Sequence, residues 1–124
     1  KQEVQPGVTF EVTELRRLGD KNIVQLGFAL DNRSDKETSL EKLGVATRYF
    51  LTDIRLVDFQ AGRTYSVGEA GGERLGSRID DGGAVGPGEQ RTFWAWFGAP
   101  SPGVSKLAVF LQGVPPIMDV PLAK

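Results

Sequence analysis

Apolar and polar residues alternate along much of the chain. Val8-Thr9-Phe10-Glu11-Val12-Thr13 switches character at every position, the period of two that marks a strand with one buried face. Leu15 breaks the phase, which predicts a bulge or the strand end near Glu14. Gly19-Asp20 is a turn signal. A second strand follows from Asn22 to Leu30, with Val24, Leu26, Phe28 and Leu30 on one face and Gln25, Gly27 and Ala29 on the other. The small residues of that second face permit close backbone approach. Asp31-Asn32-Arg33-Ser34-Asp35 then reads as a turn built from residues that bond their own backbone, so the first two strands form a long hairpin-like pair.

Residues 39–48 read as a short irregular strand carrying Leu40, Leu43 and Val45, although Ser39-Leu40-Glu41-Lys42-Leu43 also has the i, i+3 spacing of a helical turn. A stronger strand is predicted from Tyr49 to Phe59, and Gln60-Ala61-Gly62-Arg63 turns it into a hairpin with Thr64–Val67. Residues 68–89 hold eight of the 16 glycines, the mark of a long connection with at most one short strand near Leu75–Ile79. Gln90–Phe97 is a strand apolar on both faces, with Phe93, Ala95 and Phe97 against Trp94 and Trp96. Ser105–Leu111 carries Leu107, Val109 and Leu111 on its inner face, and Ile117–Val120 is a last, edge-like strand among prolines.

Seven or eight short strands with no helix beyond one turn argue for a sandwich or a small barrel, and an all-β, two-layer antiparallel sandwich is the fold expected. The organisation expected is a polar lead-in over residues 1–7 and one domain over 8–124. At 124 residues, 40% apolar and 25% charged, the chain is ordinary for one globular domain. It begins Lys1-Gln2-Glu3 without Met, as a processed or excised segment does.

The 15 basic and 16 acidic residues leave a net charge of −1, without the basic stripe that nucleic acid or anionic lipid requires. With no Cys and no His, thiol chemistry, His-dependent triads and the usual zinc or copper sites are excluded. Asp53 and Asp58 fall on opposite faces of one predicted strand, so they cannot act as a carboxylate pair across a cleft. Neither an enzymatic activity nor a cofactor is expected, and no apolar run is long enough for a membrane span.

Three stretches together resemble the immunoglobulin-like domains of bacterial envelope and secreted proteins. These are Val24–Asp35, Ile54–Asp58 leading into Gly62-Arg63-Thr64-Tyr65, and Pro87-Gly88-Glu89 before an aromatic strand that closes through Ala99-Pro100 and Pro115-Pro116. The similarity is to the immunoprotective-extracellular-protein-like sandwiches and to modules beside cell-wall-anchoring domains. It implies an immunoglobulin-like fold, an extracytoplasmic setting (secreted, periplasmic or cell-surface) and a non-catalytic binding or scaffolding role, with a protein or cell-wall component as partner. The chain departs from antibody-type domains in having no cysteine framework.

Two further readings rest on particular side chains. Trp94 and Trp96 share one strand face about 7 Å apart. That face is either sandwich core or an exposed strip for sugar rings or a protein, with Tyr49 and Tyr65 as further stacking residues. Asp31, Asp35, Asp80 and Asp81 are the acids available to a hard cation such as calcium. They lack the regular spacing of an EF-hand loop, and solvated turn residues are the plainer account.

Overall fold

The fold is given by a computed structural model that describes residues 2–19, 22–70 and 73–124. Asp20 of the Gly19-Asp20 turn, Lys1 and the Gly71-Gly72 pair lie outside the described residues. The structure is all-β with antiparallel sheets, consistent with a sandwich. One four-stranded sheet has the order β1 (Gln2–Gln5), β2 (Val8–Arg17), β3 (Ile23–Asn32), β10 (Gln90–Gly98). The other has the order β12 (Ile117–Pro121), β11 (Lys106–Leu111), β5 (Ile54–Asp58), β6 (Arg63–Ser66). Two small pairings lie in the loops: β4 (Thr38–Ser39) with β9 (Ala84–Val85), and β7 (Glu69–Ala70) with β8 (Glu73–Arg74). These bring the described strand segments to twelve, against the seven or eight expected, because two-residue ladders leave no periodic signal in sequence.

The period-two residues meet in one core. Val24, Leu26, Phe28 and Leu30 of β3 are fully buried and cluster with Ile54 and Leu56 of β5 and Leu107 and Val109 of β11. Phe10, Phe28 and Phe93 form a stacked ladder across β2, β3 and β10, with ring centroids 4.7 and 5.4 Å apart. The phase break in β2 is a bulge: the register with β3 shifts between Val12 and Glu14, which returns Leu15 to the core. Gly27 sits opposite Glu14, and a Cβ there would stand 3.0 Å from Thr13 Oγ1.

Three local expectations are corrected. The polar lead-in contains β1, paired to β2, because polar side chains do not prevent a surface strand from completing a ladder. Residues 40–44 form a turn: Leu43 N–H bonds the Ser39 carbonyl, and Ser39 Oγ accepts the Lys42 N–H. The strand expected over 49–59 begins only at Ile54. Thr47 Oγ1 accepts the N–H groups of Tyr49 and Phe50 and bends the chain there, a local bond that competes with the ladder.

Ladder-like contacts also join the layers at their sides. The outer edge of β10 pairs with residues 67–68 and 75–77, through Gly68 N–H to Trp96 O, Trp96 N–H to Leu75 O and Ser77 N–H to Trp94 O. The end of β2 beyond β1 pairs in parallel with the C-terminal residues, through Arg17 N–H to Ala123 O and Ala123 N–H to Leu15 O.

Candidate binding faces

Parity along β10 sends Phe93, Ala95 and Phe97 into the core and Trp94 and Trp96 to the outside of the first sheet. The core reading of the tryptophan face is therefore corrected. Both strand faces are apolar in sequence, and the ladder with Phe28 decides which one faces in. Trp94 is 40% exposed and lies across from Gly27, whereas Trp96 lies across from Gln25. Their ring centroids are 5.4 Å apart, with the planes tilted by 52°, so they form a corner rather than a flat strip.

Beside this corner runs a polar chain across three strands. Trp96 Nε1–H donates to Gln25 Oε1 at 2.9 Å, Gln25 Nε2–H to Glu14 Oε2 at 3.1 Å, and Arg16 Nε lies 2.6 Å from Glu14 Oε1. The register makes these contacts possible, since Trp96 pairs with Gln25 and Gln25 with Arg16. Sequence reasoning missed Glu14, Arg16 and Gln25 as site residues, although parity already put Gln25 beside Gly27 on the outward face of β3.

The two tyrosines do not join this face. Tyr65 is half-buried and packs against the core. Tyr49 is 56% exposed on the bend before β5, beside Phe50. There a shallow recess of about 490 Å³ is lined by Tyr49, Phe50, Arg78, Ile79 and Asp80. Arg48 Nε–H bonds the Asp80 carbonyl and ties the bend to the 78–83 loop.

The four candidate acids are also dispersed. Asp31 pairs with Arg33 at 3.2 Å, and Asp35 is an exposed turn residue. Asp81 pairs with Arg91 at 2.9 Å and accepts the Gly83 N–H. Desolvation raises the Asp81 carboxyl, but the Arg91 and Gly83 hydrogen bonds outweigh it and leave the group below the usual carboxylate range. Asp80 contributes its carbonyl to Arg48. Among the described residues, no three of His, Cys, Asp and Glu stand together as a metal-binding group.

The second sheet has an outward face that sequence reasoning passed over. Inward assignment of Leu107, Val109 and Leu111 turns the buried Ala108 and the half-buried Phe110 the other way, across from Val57 and Arg55. Phe59, just past β5, is 56% exposed, and its ring centroid is 5.9 Å from that of Phe110. Met118, 51% exposed, lies at the irregularity between β11 and β12, where Asp119 takes a left-handed φ of 55°. A groove of about 270 Å³ runs past Phe59, Met118 and Ala108, with Lys106 and Asp119 paired at 3.2 Å on its rim. The turn that carries Phe59 is held by the buried Asp58, whose Oδ1 accepts the N–H groups of Gln60 and Ala61.

No protein-family model, curated protein or solved structure matches this chain.

Proposed function

We propose that the chain is a non-catalytic, extracytoplasmic binding module of immunoglobulin-like architecture that contacts a protein through the outer face of its second sheet. The carrying observation is the exposed Phe59 and Met118 at a groove with a paired-charge rim, with the half-buried Phe110 packed against Phe59. Aromatic residues and Met are enriched where proteins meet, and contiguous apolar surface on a soluble domain marks such sites. Exposed Phe and Met side chains at the centre and Lys106 and Asp119 at the margin reproduce the apolar-core, polar-rim division of an interface.

Support for the immunoglobulin-like assignment comes from the strand order. The chain crosses between sheets after β3, after β6 and after β10, and the C-terminal residues run parallel to β2. The extracytoplasmic setting rests on the resemblance of Val24–Asp35 and the later stretches to envelope and secreted domains. For the non-catalytic reading, the support is that several acids serve structure: Asp58 holds its turn, Asp81 pairs with Arg91, and Glu14 contacts Gln25 and Arg16.

The test is crosslinking and co-purification from the source cell of the tagged chain and of the Phe59→Ser/Met118→Ser double variant, with fractionation of both. The result expected is one protein held by the parent chain in an extracytoplasmic fraction and lost in the variant, with amide protection on β5, β11 and β12 in the complex. Both side chains are largely exposed, so the variant stays within about 1 kcal/mol of the parent. A partner retained by the double variant overturns the interface assignment, and a chain confined to the cytoplasm overturns the setting.

A further inference from the structure

The outer face of the first sheet presents chemistry of a different kind. Its apolar component is the exposed Trp94, with Trp96 set beside it at a tilt. Its polar component is the chain Trp96–Gln25–Glu14–Arg16, in which each member is held by the next. Among the described residues, that chain leaves the second Gln25 Nε2–H, the remaining lone pairs of Glu14 and the terminal nitrogens of Arg16 open to a ligand. Donors and acceptors thus stand side by side in fixed orientation. The charges of Glu14 and Arg16 cancel, so the face selects neither a cation nor an anion.

Between the indole and the carboxylate lies Gly27, the β3 residue opposite both Trp94 and Glu14. A Cβ there would meet Thr13 Oγ1 at 3.0 Å and Glu14 Cβ at 3.3 Å, so the glycine keeps the floor of this face low between aromatic and polar sides. Next along β3, Ala29 is also small and buried. On the far side of Trp94, Ser77 fixes the strand edge, with its Oγ accepting the Trp94 N–H at 2.8 Å. The tryptophans are therefore carried on a backbone bonded along both edges. Small-molecule sites combine an apolar wall with a few placed polar groups in this way.

We propose that this face is a sugar-binding site, in which one pyranose ring of a neutral glycan stacks on Trp94 while Gln25, Glu14 and Arg16 bond its hydroxyls. A hydroxyl both donates and accepts, matching a surface that offers both, and the apolar C–H face of a pyranose is complementary to an indole. The 52° tilt between the indoles limits stacking to one ring and assigns Trp96 to positioning Gln25. A protein is the weaker occupant here, because interface centres are depleted of Glu whereas Glu14 lies across Gly27 from the exposed indole. The site is on the opposite layer from Phe59 and Met118, so it does not depend on the protein contact proposed above.

The experiment titrates the whole chain with four probes: hexamers of β-1,4-linked N-acetylglucosamine, cellulose, xylan and amylose. Tryptophan fluorescence and the indole Nε1–H and Gln25 amide resonances report binding. At least one probe is expected to give saturable shifts confined to β2, β3 and β10. Trp94→Ala is expected to weaken that probe about tenfold or more, Trp94→Phe to restore most of the loss, and Gln25→Ala to weaken it several-fold, with each variant still folded at the temperature of the titration. Phe59→Ser/Met118→Ser is expected to leave it unaltered. Absence of saturable binding by all four probes overturns the proposal. So does binding that survives Trp94→Ala, and so does capture of a protein through Trp94 when no glycan binds.

Discussion

The turn between β3 and β4 depends on Asn32, which is fully buried at 0% exposure. Its Nδ2 donates to the carbonyls of Lys36 at 2.8 Å and Val85 at 3.0 Å. Its Oδ1 accepts from Ser34 N–H at 3.0 Å and Ser34 Oγ–H at 2.6 Å. One side chain therefore closes its own turn and ties it to β9. Asn32→Ala removes all four bonds. Ser34 and Lys36 lie near the surface, so their groups regain water and the net loss there is small. The Val85 bond is buried, and its carbonyl loses that donor away from solvent. One buried orphan and three replaceable bonds together cost about 3 kcal/mol. For a domain of this length that is a fall in melting temperature of roughly 12 °C.

Asn32→Asp tests which atoms matter. It keeps the acceptor but sets a carboxylate oxygen against the Lys36 and Val85 carbonyls, at a fully buried side-chain position. Burial and those carbonyls raise the folded-state pKa of the new carboxyl above its unfolded value of about 3.9. The protonated side chain can donate one of the two bonds. Its stabilisation is therefore fully present below the unfolded pKa and is lost as pH rises through the folded one. Urea unfolding followed by tryptophan fluorescence at pH 4 and pH 7 measures both effects. Relative to the parent at each pH, Asn32→Asp is expected to be the weaker at pH 7 and to recover part of the difference at pH 4. A loss under about 1 kcal/mol for Asn32→Ala, or a pH-independent deficit for Asn32→Asp, refutes this account.

Two further outcomes follow from charged groups. Arg17 turns from the solvent and donates to the carbonyls of Pro100, Ser101 and Val104, at 2.9, 2.7 and 3.1 Å. Arg17→Lys keeps the charge but loses the fork, so it is expected to cost about 1–2 kcal/mol in thermal unfolding and to speed amide exchange at Val104. At the exposed pair of Asp81 and Arg91, Asp81→Asn is expected to destabilise by less than about 1 kcal/mol at neutral pH. Because the Asp81 carboxyl is held below its ordinary value in the fold, this contribution is present above the unfolded pKa and disappears as pH falls through the folded one. The parent and Asp81→Asn melting curves should therefore converge in acid.

How far the sequence disclosed this arrangement depended on the range of the interactions. Alternation in β2 and β3 identified the core face of the first sheet and the bulge at Glu14, since a period of two admits only two faces. It did not decide β10, where both faces are apolar and the choice was made by Phe28, more than sixty residues earlier in the chain. The Tyr49–Phe59 stretch reads as continuous strand by propensity, but the Thr47 hydroxyl diverts its first part through two short local bonds. Arg16 and Arg17 are adjacent in sequence, yet Arg16 pairs with Glu14 and Arg17 turns to a loop over eighty residues away, a distinction set by register and topology. Phe59 ends the predicted strand in sequence, and the turn held by Asp58 sets its ring beside Phe110.

The covered edges give these outward faces their importance. A partner strand can add to a sheet edge, since unpaired backbone groups there bind extended peptide. Along β10 those groups are already bonded to residues 68, 75 and 77, and along the second half of β2 to residue 123. Strand addition at either place would have to displace several of these bonds. The outward side chains need no such exchange. On the first sheet they combine an indole with hydrogen-bonding groups, and on the second they combine two phenylalanines with a methionine. On the two contacts proposed above, a polar, ring-shaped ligand falls to one layer and an apolar protein surface to the other, so that both could be held at once. Simultaneous occupancy is the consequence: saturation of the Trp94 face should leave affinity at the Phe59 face unaltered, because neither partner needs the other's sheet to move.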